Sequence, residues 1–359
     1  MPHQLLIINP GGTSTKLAVF HDEKPRFVEV IRHPVEQLRP FEQVADQEEF
    51  RAQLIIDFLV EKKVELSHLS GVVARGGALK PLASGTYLVV PEMLEDIRQG
   101  RVFVDHASNL GAILAADLAA QAGVDAFIVD PVSVDELIPE ARISGLPELK
   151  RRSMSHALNL KMICREAAES LDKRYDQVNL VAAHLGSGIS ISAHRRGRMI
   201  DVNNAVDGGP FAPTRAGQLP TTGLIGLCFS KEHSESELLA MVIKRGGLTA
   251  YLGTGDGEQI EARIEKGDQQ AKLIYDAMIY QIAKEIGAMA AALRGKVDAV
   301  VLTGGLTYCS YLLGALKERV EFLAPVLVFS GEDEMKALAL GALRVLTGQE
   351  QPRDYVGVS

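Results

Sequence analysis

Two short stretches of this chain share one plan and lie roughly 175 residues apart. Leu5 to Asn9 is an apolar run ending in a polar residue, followed by the turn Pro10-Gly11-Gly12-Thr13-Ser14-Thr15 and a second run from Lys16 to Phe20. Leu180 to Ala183 is an apolar run ending in His184, followed by Gly186-Ser187-Gly188 and the alternation Ile189, Ser190, Ile191, Ser192. Apolar runs of strand length, broken by a Gly and hydroxyl turn, read as β-hairpins. A chain of 359 residues is long enough for two domains, so a hairpin that recurs at this distance points to internal duplication.

Between and after the hairpins, strand and helix patterns alternate. Phe50 to Lys62 has helical spacing, and Gly71 to Ala74 is a short buried strand ending at Arg75-Gly76-Gly77. Pro91 to Gly100 and the Ala- and Leu-rich Asn109 to Gly123 predict helices, the second preceded by a possible cap in Asp105-His106-Ala107-Ser108. Ala126 to Val129 predicts a strand ending at Asp130, and Lys150 to Asp172 a helix or a pair of helices. After the central hairpin, Gly197 to Val202 continues a meander. Asn203 to Thr222 is a long loop rich in Gly, Pro and Thr, and a connection of that length is usually functional. Helices over Ser234 to Gly246, Gln259 to Lys266 and Asp268 to Leu293 follow. Strands Val297 to Thr303 and Val326 to Phe329 and a closing helix Met335 to Leu346 complete an α/β chain whose halves divide near Leu146 to Arg152.

Charge and cysteine usage narrow the function classes. A formal net charge of −8 with no long basic cluster argues against nucleic acid, whose binding rests on Lys and Arg neutralising phosphates. No apolar run reaches membrane-spanning length, and the N-terminus lacks the charged region and cleavage site of a signal peptide. Cys164, Cys228 and Cys309 are few, odd in number and far apart, which reads as buried thiols in a reducing cytoplasm, neither a disulfide framework nor a zinc site.

The candidate site residues cluster at strand ends and turns. Gly186, Ser187 and Gly188 offer backbone N–H groups to an anion, phosphate above all, and His184 at their mouth can donate to a phosphoryl group. Asn9, Gly11, Gly12, Thr13, Ser14, Thr15 and Lys16 form a comparable cradle, although the spacing is not that of a P-loop and a surface hairpin turn explains it as well. Gly304-Gly305 leaves a strand end bare for a ribose or adenosine; glycine pairs at strand ends are also common for purely structural reasons. Arg75 and Arg215 each carry a planar fork suited to a carboxylate or phosphate, or to a surface salt bridge. Asp130 and Glu334 sit where α/β folds place ligand sites, and Mg²⁺ takes one or two carboxylates plus nucleotide phosphates. An acidic residue at a helix start, or an Asp before Pro131, is equally a structural choice.

These residues carry a resemblance. Ile8-Asn9-Pro10-Gly11-Gly12-Thr13-Ser14-Thr15-Lys16 resembles the first signature of the acetate kinase family, and Ala183-His184-Leu185-Gly186-Ser187-Gly188-Ile189-Ser190 its second. The segment from Asp207 to Pro220 looks like the butyrate kinase branch. The resemblance implies the duplicated two-domain fold of acetate and sugar kinases, Hsc70 and actin (ribonuclease H-like), with a central cleft. Its domains would be 1–150 and 151–334, with the closing segment 335–359 packing on the first. It implies reversible phosphoryl transfer between ATP and a short-chain fatty acid, butyrate or isobutyrate, giving ADP and an acyl phosphate with Mg²⁺ as cofactor. It also implies a homo-oligomer built from dimers. By position, Asn9, Thr13, Thr15 and Lys16 would hold phosphate, Arg75 and Arg215 the carboxylate and moving phosphoryl group, and His184 that group in the transition state. Asp130 and Glu334 match positions associated with Mg²⁺, and Gly304 and Gly305 an adenosine-binding strand end. Two departures stand out: the metal-associated run reads Glu332-Asp333-Glu334, and Val132-Ser133-Val134-Asp135 replaces a His-rich pattern, leaving His106 as a secondary histidine or a cap. A kinase for another short acid shares these residues, and a nucleotide-gated binding protein shares the fold.

Overall fold

Each hairpin opens one β-sheet in the computed structural model, which describes every residue except Met1, Glu42, Asp105, Asp207 and Ser359. The first sheet uses β1 (Gln4–Pro10), β2 (Ser14–His21), β3 (Lys24–Arg32), β4 (Gly71–Arg75), β5 (Thr86–Leu88) and β6 (Ala126–Val129) in the order β3-β2-β1-β4-β6-β5. The second uses β7 (Asn179–Leu185), β8 (Ile189–Arg195), β9 (Arg198–Val202), β10 (Ala299–Gly304) and β11 (Val326–Ser330) in the order β11-β10-β7-β8-β9. In both, an antiparallel three-strand meander is extended by two parallel strands: β1 pairs with β4 and β4 with β6, as β7 pairs with β10 and β10 with β11. The shared topology is the duplication that the twin hairpins announce.

Parallel strands require crossovers that cover the sheet, and those crossovers make the cores. In the first sheet Leu6, Ile8, Val72 and Ile128 pack with Ile113, Leu114 and Leu118 of the helix Leu110–Ala122. In the second, Val181, Ala183, Val300 and Leu302 pack with Met278, Ile282 and Ile286 of the helix Gln269–Ala292 and Leu316 of the helix Ser310–Val320. Each such Leu or Ile removed from water contributes roughly 1.5–3 kcal/mol.

The chain forms two compact units, Met1–Asp135 with Asp333–Ser359, and Glu136–Glu332. The division therefore falls between Asp135 and Glu136, not near residue 150, because the expected linker is stitched into the second unit. The Glu136 carboxylate accepts from Lys161 Nζ and from the Met199 amide (2.8 Å), Ile138 N bonds Ile200 O (3.0 Å), and Arg151 Nη1 bonds Ala141 O (2.7 Å). Likewise the returning segment begins at Asp333 rather than at 335, since the Asp333 carboxylate caps the helix Glu334–Leu346 by accepting from Lys336 N at 2.9 Å. That helix lies close against the first sheet at Gly341, where a Cβ would come within 2.4 Å of Val129 Cγ1. Thr86 Oγ1 donates to the Gly341 carbonyl at 3.0 Å.

Several elements escape the sequence patterns, among them two strands and two helices. The strand β3 is an edge whose residues are mostly exposed, with Lys24, Pro25, Arg26, Glu29 and Arg32 among them, the residue types by which edges avoid further pairing. The three-residue β5 is too short for a periodic signal. The helix Thr221–Phe229 falls partly in the expected loop and is apolar all round, and the helix Ser310–Val320 buries only Leu312, Leu316 and Val320.

Candidate active site

In the second unit, His184 occupies the penultimate position of β7, where it pairs across to Ser190 of β8 and beside Thr303 of β10. It is 3% exposed. Its Nδ1 lies 2.9 Å from Asn159 Nδ2, a side chain from the helix Ala157–Ser170. The His184 ring stacks on His156 with centroids 4.0 Å apart and planes 14° from parallel. The His156 ring is held in turn by Ser190 Oγ at 2.9 Å. The Nε2 of His184 looks the other way, 3.6 Å from the carboxylate of Glu332, which is half exposed. A Cβ at residue 186 would sit 2.9 Å from this nitrogen, so glycine at that position leaves the donor face open.

The loop ahead of the helix Thr221–Phe229 folds back onto the same turn. Thr214 Oγ1 donates to the Ser187 carbonyl at 3.2 Å, and Arg215 Nη1 to the Ala205 carbonyl at 2.6 Å. The Arg215 guanidinium lies across Gly188, where a Cβ would meet Nη1 at 2.4 Å and Cζ at 2.6 Å. Burial lowers the Arg215 pKa from its ordinary value, the mark of a cation drawn partly out of water. His184, Gly186, Ser187, Gly188 and Arg215 thus form one cluster with two kinds of cationic or N–H donor over a glycine turn. Such a cluster can hold an anion and stabilise charge that develops on it. Asp207, at the start of the loop, is outside the described residues.

At the far end of β10, Gly304 has φ +95° and bonds Gly331 in both directions, N to O at 2.8 Å and back at 3.2 Å. A Cβ there would fall 2.4 Å from the Leu185 carbonyl oxygen, so only glycine fits. Gly305 is exposed, and a Cβ added to it would meet nothing within 4 Å. Gly304 is thus explained by its own packing, and Gly305 alone leaves this strand end open.

In the first unit, β1 pairs Asn9 directly with Lys16 of β2, placing both side chains on one face. Asn9 Nδ2 donates to Glu334 Oε2 at 2.7 Å, and Arg75 Nη1 lies 3.0 Å from Glu334 Oε1 and 3.1 Å from Oε2. Arg75 ends β4, so the three residues gather at one end of the sheet. Lys16 and Thr13 are exposed at the same turn. Thr15 departs from its expected phosphate-binding place: it is fully buried, and its hydroxyl is taken by His33 Nε2 at 2.8 Å and Arg51 Nη1 at 3.1 Å. Arg51, also fully buried, holds the turn from beneath, donating to the carbonyls of Gly11 (2.9 Å), Gly12 (3.0 Å) and Ser14 (3.2 Å).

Asp130 is buried with φ +38°, and its Oδ1 accepts from Ser84 Oγ at 2.6 Å and Gly85 N at 2.8 Å. One carboxylate oxygen therefore braces a turn. Among Glu332, Asp333 and Glu334, Asp333 is the helix cap and Glu332 faces His184, while Glu334 keeps a partly exposed carboxylate. Among the described residues no group of three or more His, Cys, Asp or Glu side chains is arranged to hold a metal ion. The Glu334 carboxylate is 18% exposed and is already held by Asn9 and Arg75. His106 is a cap: its Nδ1 accepts from Ser108 N at 3.1 Å and lies 2.9 Å from Ser108 Oγ. Asp105 beside it is outside the described residues.

Asn159, His156, Thr303, Arg51 and His33 were not singled out by the sequence. A signal existed for one: Asn159 and Lys161 are polar residues within a helix stretch whose other positions, Leu158, Leu160 and Met162, are buried and apolar. Arg51 sits in an ordinary amphipathic pattern, and nothing local marks it.

Residues 147–323 match the model of the acetokinase family, a span that includes the His184 turn, Arg215 and Gly304-Gly305 and leaves out the first hairpin. The chain is similar in structure to acetate kinase of Porphyromonas gingivalis, at 20% identity and TM-score 0.79, covering 96% of this chain and 100% of that one. It is similar to a propionate kinase from Francisella tularensis subsp. tularensis SCHU S4, at 18% identity and TM-score 0.75, over 94% and 98% of the two chains. Acetate kinase from Entamoeba histolytica matches at 17% identity and TM-score 0.74, over 93% and 97%. The fold is the two-domain α/β fold of these kinases.

Proposed function

We propose, from a chain whose residues 147–323 match the acetokinase family, that this protein is a carboxylate kinase moving a phosphoryl group between ATP and a short fatty acid. The observation that carries the reading is the second-unit cluster, in which His184 Nε2 and the Arg215 guanidinium converge on the Gly186–Gly188 turn.

The chemistry asks little covalent work of the protein. A carboxylate is already a nucleophile at neutral pH, so no general base is needed, and catalysis rests on positioning and on charge complementarity. Arg75 and Arg215 are the forks assigned to the carboxylate and to the oxygens of the phosphoryl group. His184 Nε2–H is assigned to donate to that group as charge spreads over its equatorial oxygens. Asn9, Thr13 and Lys16 are assigned to phosphate, and Gly304 and Gly305 to the adenosine. Bound Mg²⁺ would supply charge neutralisation at the nucleotide phosphates, with Glu334 as the protein carboxylate assigned to it; Asp130 shapes the neighbouring strand end.

The substrate we favour is a four-carbon acid, butyrate or isobutyrate, on the likeness of the 207–220 loop to the butyrate branch. One methylene is worth only about 1–3 kcal/mol in an apolar pocket, so acyl length is decided by few side chains. A homo-oligomer is supported by the helix Thr221–Phe229, which is apolar yet buries none of its residues.

The test is direct. Purified protein, ATP and Mg²⁺ are incubated with acetate, propionate, butyrate, isobutyrate or isovalerate, and acyl phosphate is trapped as hydroxamate. Preference for four-carbon acids supports the butyrate reading; preference for acetate keeps the kinase and overturns the acyl length. No hydroxamate with any acid, from protein that binds ATP, would leave a nucleotide-gated binding protein.

A further inference from the structure

We propose that Asn159 is a positioning residue that fixes the tautomer of His184, leaving the imidazole proton on Nε2, the nitrogen beside the Gly186 turn. The argument begins at Thr303. Its hydroxyl lies 2.8 Å from the Gly331 carbonyl, an atom that can only accept, so the Thr303 proton points there. The Thr303 oxygen is then an acceptor toward Asn159, whose amide lies 3.3 Å away. That sets the amide orientation: the NH₂ end of Asn159 faces Thr303, and the same NH₂ lies 2.9 Å from His184 Nδ1. An imidazole nitrogen that accepts from an amide carries no proton, so the neutral ring holds its proton on Nε2.

The alternative orientation is disfavoured by its own consequences. Turning the amide over would set its oxygen against a Thr303 oxygen whose proton is already committed. The present orientation has a visible cost, since Asn159 Oδ1 is buried with no hydrogen-bond partner among the described residues. A buried unsatisfied polar atom of this kind is uncommon and marks a site where geometry serves something besides packing. The stacked His156 ring, tied to Ser190, restrains the plane of His184 while Asn159 selects its proton. The relay therefore runs from Gly331, which is bonded to Gly304, through Thr303 and Asn159 to His184. All of its members belong to the second unit.

The kinetic part of this inference rests on the carboxylate-kinase reading, whereas the tautomer itself does not. The experiment uses full-length protein labelled with ¹⁵N-histidine, with the His184 ring signals assigned by their loss in His184→Asn. The expected spectrum has a pyrrole-like Nε2 and a pyridine-like Nδ1. In Thr303→Val, which keeps the shape and removes the acceptor, the amide is free to turn and the His184 signals should shift toward a tautomer mixture. Thr303→Ser should restore the wild-type pattern. In turnover, Thr303→Val and Asn159→Ala should lose about tenfold or more in kcat with KM for ATP changed far less, as expected when a catalytic imidazole loses its working tautomer. A wild-type Nδ1–H tautomer, or a Thr303→Val protein with wild-type signals, overturns the proposal. The expected spectra from a protein with no turnover on any acid would uphold the tautomer lock and remove only the kinase reading.

Discussion

Arg75 and Glu334 are 259 positions apart in sequence, yet a single guanidinium nitrogen of Arg75 sits 3.0 and 3.1 Å from the two carboxylate oxygens of Glu334. The pair is partly exposed, with side-chain accessibilities of 25% and 18%, so its contribution to folding is about 1 kcal/mol at most. Its importance should show in turnover instead. Arg75→Ala should lower kcat by about 100-fold or more while the melting temperature barely moves. Arg75→Lys should recover little, because a point charge does not reproduce a planar fork. A large thermal loss with normal kcat would assign the arginine to structure alone.

Gly188 and Arg215 should behave as one unit. The hypothetical Cβ at Gly188 overlaps the guanidinium, so Gly188→Ala must displace Arg215. We expect Gly188→Ala and Arg215→Ala to lower kcat to a similar degree. The double variant should be no worse than the stronger single one, since both remove the same interaction. Additive losses, or unchanged turnover in Arg215→Ala, would separate the two and withdraw Arg215 from the chemistry.

Acid should loosen the first unit through His33. Burial, and secondarily the charge of Arg51, lower the His33 pKa from 6.5 to about 4. Between those values the unfolded chain binds a proton that the folded chain refuses, so stability is full above pH 6.5 and falls as the pH drops toward 4. The loss amounts to about 3 kcal/mol over that window. In the second unit His194 acts in the same direction, since full burial holds its pKa well below the ordinary value. Urea titrations at a series of pH values should give a shallower pH slope for His33→Gln than for the natural chain. Equal slopes would mean that His33 titrates normally.

The helix Thr221–Phe229 should mark a surface where copies meet. Ile225 is 53% exposed and Phe229 81% exposed, an apolar display that a lone chain seldom keeps. Phe229→Asp should shift the sedimentation or light-scattering mass to the monomer without unfolding the chain. A monomeric natural protein at micromolar concentration would dispose of the idea.

How much of this was legible beforehand depended on how local each feature is. The hairpins, the Gly-rich turns and His184 lie in contiguous runs, and period and turn chemistry expose them. The inward turn of Thr15 was hidden because the residue that claims its hydroxyl, Arg51, comes from a distant helix. The same holds for Asn159: its meaning arises only when β7 and β10 bring His184 and Thr303 side by side. The division at Asp135 was obscured because residues 136–151 carry no periodicity of their own and are defined by hydrogen bonds to strands formed later in the sequence.

The close approach of Gly341 to Val129 has a bearing on how the protein is made. The helix that covers β6 emerges from the ribosome after the whole of Glu136–Glu332, which is one uninterrupted stretch. Domains generally fold in the order in which they are synthesised. Here the first sheet must wait with one side bare, and the second unit can finish first. Premature termination near residue 332 would leave a folded half attached to an open one, and an exposed apolar sheet is what chaperones and proteases recognise.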